Sequence, residues 1–288
     1  MELAVVSGKG GTGKSSVTAA FATAGERLVV ADCDVEAANL FLLFNPEHDT
    51  EQVYIGGYSA VVDNALCTVC GMCESYCRFD AITRVDGKII ISERSCEGCF
   101  FCSRICPVDA ITMVPGDRSR MYSGSFRNGR MVYGRLAPGE ENSGKLVNMV
   151  RNKAKRVAKD HGMNIILLDG PPGIGCPVIS TVTGVDKVII VTEPTMSGLG
   201  DMKRVHEVAR KFTGDIGVII NKYDLNEAMT DSIEGWCIAQ GNALLGGLPY
   251  DRRVTEAMIS GKSVIEMFPG AEISIILKRI WNKLTANV

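Results

Sequence analysis

The chain has 288 residues, 46% of them apolar, with 33 acidic and 31 basic side chains and a formal net charge of −2. That length suits one large domain or two unequal ones with ample core, and the near-neutral balance gives no bulk attraction for nucleic acid or an anionic membrane. No apolar run approaches the roughly 18 residues of a spanning helix, and MELAVVSGKGG lacks the charged and apolar regions of a signal peptide, so a cytoplasmic protein is expected. Eleven cysteines in a reducing compartment point to metal rather than to disulfides.

The predicted elements begin with a β-rich run, ELAVVS (2–7), that ends in glycines. The loop GKGGTGKS (8–15) fits the phosphate-binding pattern G-x-x-x-x-G-K-[ST]. Gly8, Gly10, Gly11 and Gly13, with Thr12 among them, let backbone N–H groups converge on phosphates without side-chain clashes. A small-residue helix from about Lys14 to Thr23, with Ser15 and Ser16 in its first turn, presents its positive N-terminus to them. Lys14 is expected to reach the β- and γ-phosphates, and the Ser15 hydroxyl to take a coordination position on Mg²⁺. RLVVADCD (27–34) reads as a second buried strand ending at Asp32 and Asp34.

Residues 60–116 break that rhythm with an internal repeat at a shift of 29 residues: CTVCGMCESYCRFDAIT (67–83) aligns with CEGCFFCSRICPVDAIT (96–112). Both runs match C-x₂-C-x₂-C-x₃-C, the spacing of two-cluster bacterial ferredoxins, in which the fourth cysteine of each run ligates the other cluster. On that rule one [4Fe–4S] cluster takes Cys67, Cys70, Cys73 and Cys106, and the other takes Cys96, Cys99, Cys102 and Cys77. Zinc is the alternative, since paired C-x₂-C units bind it too; triple runs and two quartets of thiolates suit cubanes better. Arg78 stands where the second run has Pro107 and reads either as a charge near a cluster or as a surface residue. MYSGSFRNGRMVYGRL (121–136) then reads as a hairpin turning at Asn128-Gly129.

APGEENSGKLV (137–147) is a polar loop that reads as an ordinary lead into a helix. RNKAKRVAKDHG (151–162) is a surface helix with an apolar stripe of Val150, Ala154, Val157 and Ala158 and a solvated basic face, and no nucleic-acid binding is expected of it. NIILLDGPPG, KVIIVTEPT and IGVIINKYD follow, each an apolar run ending in polar or glycine-rich residues. Such strands, alternating with helices, indicate a parallel sheet covered on both faces. Ligands then sit at the carboxyl ends of the strands, at Ser7–Ser15, Asp32–Asp34, Asp169–Cys176, Glu193–Thr195 and Asn221–Asp224. ISIILKRIWNKLTANV (273–288) is somewhat amphipathic and can pack on the sheet. Cys33 and Cys237 read as small buried side chains, and His48, His161 and His206 suggest no site.

KGGTGKS carries a second lysine, Lys9, and with it resembles the deviant Walker A motif of the MinD/ParA/nitrogenase iron protein family of P-loop ATPases. VVADCD, LLDGPPG, VTEPT and IINKYD extend the resemblance, in the family's order, over nearly all the chain outside the repeat. It implies a doubly wound, mostly parallel α/β fold at residues 1–59 and 117–288, with a small α+β ferredoxin-like domain inserted at 60–116. It also implies a homodimer that sandwiches MgATP, with Lys9 reaching phosphates bound by the other copy. Asp34 would help position the attacking water, Asp32 and Asp169 would help hold Mg²⁺ and its waters, and Asn221 would contact the base. NKYD also resembles the guanine-reading N-K-x-D, with Asp224 in its last place, so GTP stays open. Cys176 follows Asp169 at the spacing of a cluster-ligating cysteine in the nitrogenase iron protein, which makes it a candidate ligand of an additional [4Fe–4S] cluster bridging two copies; no counterpart of that protein's second ligand is evident. The expected function is an ATPase coupling its nucleotide cycle to electron transfer through two [4Fe–4S] clusters toward a redox or metallocluster partner protein or a metal centre. A carrier or scaffold of clusters or metal built on Cys176, and an ATP-switched positioning protein with structural clusters, are the alternatives.

Overall fold

β1 (Glu2–Ser7) is buried along its whole length, as a strand must be when helices cover both faces of its sheet. Leu3 and Val5 point to one face and Ala4 and Val6 to the other, all four without solvent exposure. The structure is a computed structural model and describes residues 1–137, 140 and 143–286.

Beside β1 run β2 (Leu28–Asp32), β9 (Gly129–Arg135), β10 (Ile165–Pro172), β11 (Lys187–Thr192), β12 (Ile216–Asn221) and β13 (Ala243–Leu248). They form a parallel array in the order β13-β12-β11-β1-β10-β2-β9. β8 (Ser119–Phe126) and β3 (Glu47–Tyr54) complete the sheet on the β9 side, giving nine strands among the described residues. Helices α1 (Lys14–Ala24), α2 (Leu40–Phe44), α9 (Arg252–Ile259), α10 (Val264–Met267) and α11 (Glu272–Thr285) share one core with Leu3, Val5, Leu28 and Val30. Helices α5 (Ser143–Asp160), α6 (Cys176–Val182), α7 (Met196–Ala209) and α8 (Glu227–Ala239) cover the other face. The expected α/β architecture with a large, mostly parallel sheet is therefore present, and it aligns the carboxyl ends of β1, β10, β2, β11 and β12 along one edge.

These elements make up one unit, Met1–Gln52 with Met121–Arg135 and the chain from Ser143 onward. A second unit comprises Val53–Arg120 and residues of the 136–142 stretch. In it β4 (Tyr58–Val62) pairs antiparallel with β7 (Ile111–Pro115), and β5 (Ile82–Val85) with β6 (Lys88–Ile91); α3 (Met72–Ser75) and α4 (Phe101–Ile105) each begin within a cysteine run. The repeat has a physical counterpart in the backbone. Val69 and Gly98, Gly71 and Phe100, and Asp80 and Asp109 all have positive φ (54° and 58°, 80° and 64°, 50° and 51°), and each pair is 29 residues apart. Ala81 and Ala110 (2% and 1% exposed) and Ile82 and Ile111 (5% each) are buried alike.

Two local expectations need revision, and a third, the packing of the carboxyl-terminal stretch, is met. The hairpin between β8 and β9 turns at Arg127-Asn128, not Asn128-Gly129. Gly129 opens β9 because a Cβ there would stand 2.4 Å from the Leu28 carbonyl oxygen, and Arg127 takes the positive φ of 21°. The basic helix is longer than 151–162, and its basic face is not wholly solvated: Arg151 is 5% exposed. Its Nη1 donates to the carbonyls of Ser180 and Thr183 (2.6 and 2.9 Å), and its Nη2 lies 3.1 Å from Glu2 Oε2. The carboxyl-terminal amphipathic stretch packs inward: Ile273, Leu277, Ile280, Trp281 and Leu284 are buried, with the Trp281 ring 5.5 Å from that of Phe21. Of the 137–147 loop, residues 138, 139, 141 and 142 lie outside the described residues. No helix among the described residues is long and apolar enough to cross a membrane.

Arg151→Ala leaves the Ser180 and Thr183 carbonyls without this donor and Glu2 with Lys155 alone, 3.1 Å away. Loss of a buried pair partner costs about 3 kcal/mol at the lower end of its usual range. The urea midpoint should fall accordingly, with Arg151→Met/Glu2→Gln recovering part of it; an unchanged midpoint for Arg151→Ala would show that the pair adds no stability.

Candidate functional site

The chain leaves β1 at Ser7 and enters α1 at Lys14 through a loop whose shape demands glycine. Gly11 and Gly13 have φ of 81° and 90°, where a Cβ is disfavoured. A Cβ on Gly13 would also come within 2.3 Å of Asn221 Nδ2, which donates to the Thr12 carbonyl at 2.8 Å. Asn221, at the end of β12, thereby ties the loop to a strand two positions away in the sheet. Thr12 Oγ1 is buried without a hydrogen-bond partner.

Asp169, on β10 beside β1, is fully buried. It is 3.0 Å from Lys14 Nζ, accepts from Ser15 Oγ at 2.8 Å and accepts from Thr18 Oγ1 at 2.7 Å. Asp32, at the end of the neighbouring β2, is also fully buried. Its carboxylate accepts the backbone N–H groups of Asp34, Asn39 and Leu40 at 3.1, 3.1 and 3.2 Å, so it holds the switch-like segment 34–40 and the start of α2. Burial, and then the charge of Asp169, push the Asp32 carboxyl up to about 7. Burial pulls the Lys14 ammonium down, but Asp169 and Asp32 outweigh it and its pKa lies above the ordinary value. Asp34 is half-buried, and desolvation raises its carboxyl against the opposing pull of Lys14. Two buried carboxylates and the Ser15 hydroxyl thus surround a single lysine, a donor set of oxygens with excess negative charge that suits Mg²⁺.

Lys9 lies on its own chain's Glu193: Nζ is 2.6 Å from Oε1 and also donates to Ser197 Oγ at 3.0 Å. Beside the loop, Gly11, Gly13, Ser16 and Asn221 join Tyr250 and Val254 in lining a cleft of suitable character for a nucleotide base. Asp224 does not line it; its Oδ1 accepts the Tyr250 backbone N–H at 2.7 Å. Gly8 and Gly10 complete the loop, and a Cβ on Gly8 would meet Asp201 at 2.5 Å. Cys176 is exposed at the start of α6. Cys33 and Cys237 are buried.

In the second unit the eight clustered cysteines surround two cavities. Cys67, Cys70, Cys73 and Cys106 wall one, and Cys77, Cys96, Cys99 and Cys102, with Cys73, wall the other. Three sulfurs accept backbone N–H groups: Cys67 from Val69 at 3.4 Å, Cys96 from Ala60 at 3.4 Å and Cys106 from Ala110 at 3.3 Å. Val69 does so from a left-handed conformation that a β-branched residue rarely adopts, strain of the kind found where a loop is shaped around a ligand. Burial is the largest influence raising the Cys73 and Cys102 thiols, and neighbouring cysteines add to it. Arg78 is exposed. No three or more His, Cys, Asp or Glu side chains among the described residues converge closely enough for a single metal ion.

Three side chains, Thr18, Tyr250 and Val254, and the pairing of Glu193 with Lys222 have no counterpart in the sequence reading. Thr18 follows Lys14 by one helical turn, a spacing that the helix period could have flagged. Glu193 and Lys222 meet at 3.3 Å from two separate strand ends, and Tyr250 and Val254 come from a connection without any motif; their convergence has no local signal.

Known proteins resemble this arrangement along the whole chain. An uncharacterized protein of Methanocaldococcus jannaschii is 37% identical over 99% of this chain and 96% of its own length. An uncharacterized ATP-binding protein of the same organism is 23% identical over 98% of this chain and 86% of its own. Among solved structures, the Pyrococcus furiosus cell division ATPase MinD aligns with a TM-score of 0.59 at 20% identity, covering 100% of this chain and 99% of that one. The septum site-determining protein MinD of Pyrococcus horikoshii, complexed with Mg-ADP, aligns with a TM-score of 0.58 at 21% identity, covering 98% and 95%. The CobQ/CobB/MinD/ParA nucleotide binding domain matches residues 3–264. With a phosphate loop, two strand-end carboxylates and an adjoining cleft on one parallel sheet, the chain belongs to the CobQ/CobB/MinD/ParA nucleotide-binding family.

Proposed function

We propose that this ATPase is an iron–sulfur protein that binds and hydrolyses MgATP between two copies of itself and couples that cycle to electron transfer toward a partner protein or metal centre. The observation that carries the reading is the pair of cysteine-walled cavities: each draws on both runs, in the crossed pattern that the C-x₂-C-x₂-C-x₃-C spacing requires. Cys67, Cys70, Cys73 and Cys106 would hold one [4Fe–4S] cluster, and Cys77, Cys96, Cys99 and Cys102 the other, in a ferredoxin-like domain at residues 60–116 set into the ATPase fold of 1–59 and 117–288. The clusters would supply one-electron carriers, which the nucleotide fold lacks.

In the nucleotide site, backbone N–H groups of Gly8–Ser16 cradle the phosphates, Lys14 neutralises charge on the transferring phosphoryl group, and Asn221 lies against the base. Ser15, Asp32 and Asp169 would hold Mg²⁺, which supplies further charge neutralisation. Asp34, desolvated but not sealed off, orients the attacking water. Lys9 crosses to the phosphates of the second copy. Adenine is favoured over guanine because Asp224 faces the Tyr250 backbone rather than the cleft. Movement of 32–40 and of 169–176 on hydrolysis would change the affinity for the redox partner. An additional cluster bridging two Cys176 residues defines the second reading, a cluster or metal carrier; the exposure of that thiol favours it.

Anaerobic purification with iron counting, followed by EPR with and without MgATP, tests the proposal. About eight iron per chain are expected for two [4Fe–4S] clusters. Zinc without iron overturns it, and an extra chelatable cluster per dimer lost in Cys176→Ala transfers support to the carrier. Cys106→Ser should lower the iron to about four per chain and remove the EPR signal of one cluster only. Lys14→Ala should reduce ATPase activity by about 100-fold or more with the iron content unchanged.

The Asp32 carboxyl predicts a pH dependence. Its pKa is raised on folding from 3.8 to about 7, so the folded chain holds the proton more tightly than the unfolded one. The stabilisation from that proton is complete below the unfolded pKa and is lost as pH rises toward the folded one. Melting of the Mg²⁺- and nucleotide-free protein, compared between pH 5 and pH 8, should therefore show a contribution favouring low pH that disappears in Asp32→Asn; identical pH profiles for the two proteins would refute it.

A further inference from the structure

One carboxylate joins the two lysines that flank the nucleotide site. Glu193 directly follows β11, which lies between β1 and β12 in the sheet. Its Oε1 is 2.6 Å from Lys9 Nζ, and its Oε2 is 3.3 Å from Lys222 Nζ. The Glu193 side chain is 17% exposed and that of Lys9 31%, so the contact is partly withdrawn from water and stronger than an ordinary surface pair. Ser197 Oγ accepts a second contact from Lys9 at 3.0 Å. Burial alone would raise the Glu193 carboxyl, but Lys9 and Lys222 outweigh it and hold the group below the usual carboxylate range.

We infer that Glu193 is a positioning residue that parks Lys9 on its own chain and releases it only to the phosphates of a nucleotide held by a second copy. The inference rests on the reading that Lys9 acts across the dimer. A lysine bound to a carboxylate gives up that contact for a site of greater negative charge, which a triphosphate provides. Lys222 makes the exchange reversible: when Lys9 leaves, Glu193 keeps one cation, and no buried charge is left unpaired. The latch therefore opposes pairing of empty copies and lets ATP drive it.

Sedimentation velocity with Mg²⁺ and the ATP analogue AMPPNP tests this on the full chain, with binding of a fluorescent ADP and thermal melting as controls for the fold. Glu193→Gln should lower the protein concentration needed for half-dimerisation by about fivefold, the equivalent of ~1 kcal/mol for a partly buried pair. It should leave fluorescent ADP binding unchanged. Ser197→Ala removes a weaker contact to the same lysine and should shift pairing in the same direction, which keeps the test open if Glu193→Gln does not fold. Unchanged or weaker pairing in a folded Glu193→Gln or Ser197→Ala protein overturns the latch. Lys9→Ala separates the two levels of inference: normal nucleotide-driven pairing in that variant overturns the trans role of Lys9 itself. In Lys9→Ala/Glu193→Gln the glutamine should have no further effect; enhanced pairing there would mean that Glu193 acts on something other than Lys9.

Discussion

The contact between Asp169 and Lys14 organises the nucleotide half of this protein. A carboxylate with no solvent exposure needs a cation and hydrogen-bond donors, or it loses its charge. Lys14, Ser15 and Thr18 supply them from three positions on the first two turns of α1. That requirement fixes α1 against β10 and with it the direction in which the phosphate loop opens. It also accounts for the second carboxylate: one lysine cannot balance both Asp169 and Asp32, and the residual charge is what a divalent cation would neutralise. The site is thus held together by interactions that a bound nucleotide and cation can compete for.

Asp32 extends that competition to the backbone. Its carboxylate caps the segment running into α2 through three N–H groups, so any change in its charge or partners bears on residues 34–40. The Phe41 ring, one residue into α2, stacks on Tyr133 at 5.0 Å, and the Tyr133 hydroxyl meets His48 Nε2 at 2.9 Å. A rigid aromatic group therefore backs the segment that the carboxylate holds. On the opposite side of the loop Glu193 restrains Lys9, and the two restraints are of the same kind: carboxylates occupying groups that phosphate or a cation would otherwise engage.

The second unit is governed by a different constraint. Its shared core is small, with Ala60, Cys73, Ala81, Ile82, Ile89 and Ile111 as its buried members, and five of the eight clustered cysteines, Cys67, Cys77, Cys96, Cys102 and Cys106, pack against it only partly buried. Two short antiparallel pairs and two single-turn helices offer little apolar area for a unit of this length. The paired left-handed residues, 29 positions apart, show that both cysteine runs adopt the same loop shape, and a shape that places Val69 and Phe100 at positive φ is costly without something for the loop to enclose.

Much of this was written in the residues. Uninterrupted apolar strands announced a sheet covered on both faces, because only such a sheet accepts apolar side chains at successive positions. The phosphate loop was legible because glycine, lysine and serine at fixed spacing answer to local backbone geometry, and the duplicated cysteines because ligation imposes its own spacing. The sequence could not place the hairpin turn, since Gly129 is required by the close approach of Leu28 from another strand, nor the burial of Arg151, which depends on Glu2 from the far end of the unit. It marked the strand ends that carry Glu193 and Lys222 but was silent on the contacts of Glu193 with Lys9 and Lys222 and of Asp224 with Tyr250. Those pairings join strand ends that are adjacent only after β11, β12 and β1 assemble side by side; distance along the chain carries no trace of them, and electrostatics at close range decides them once the sheet has formed.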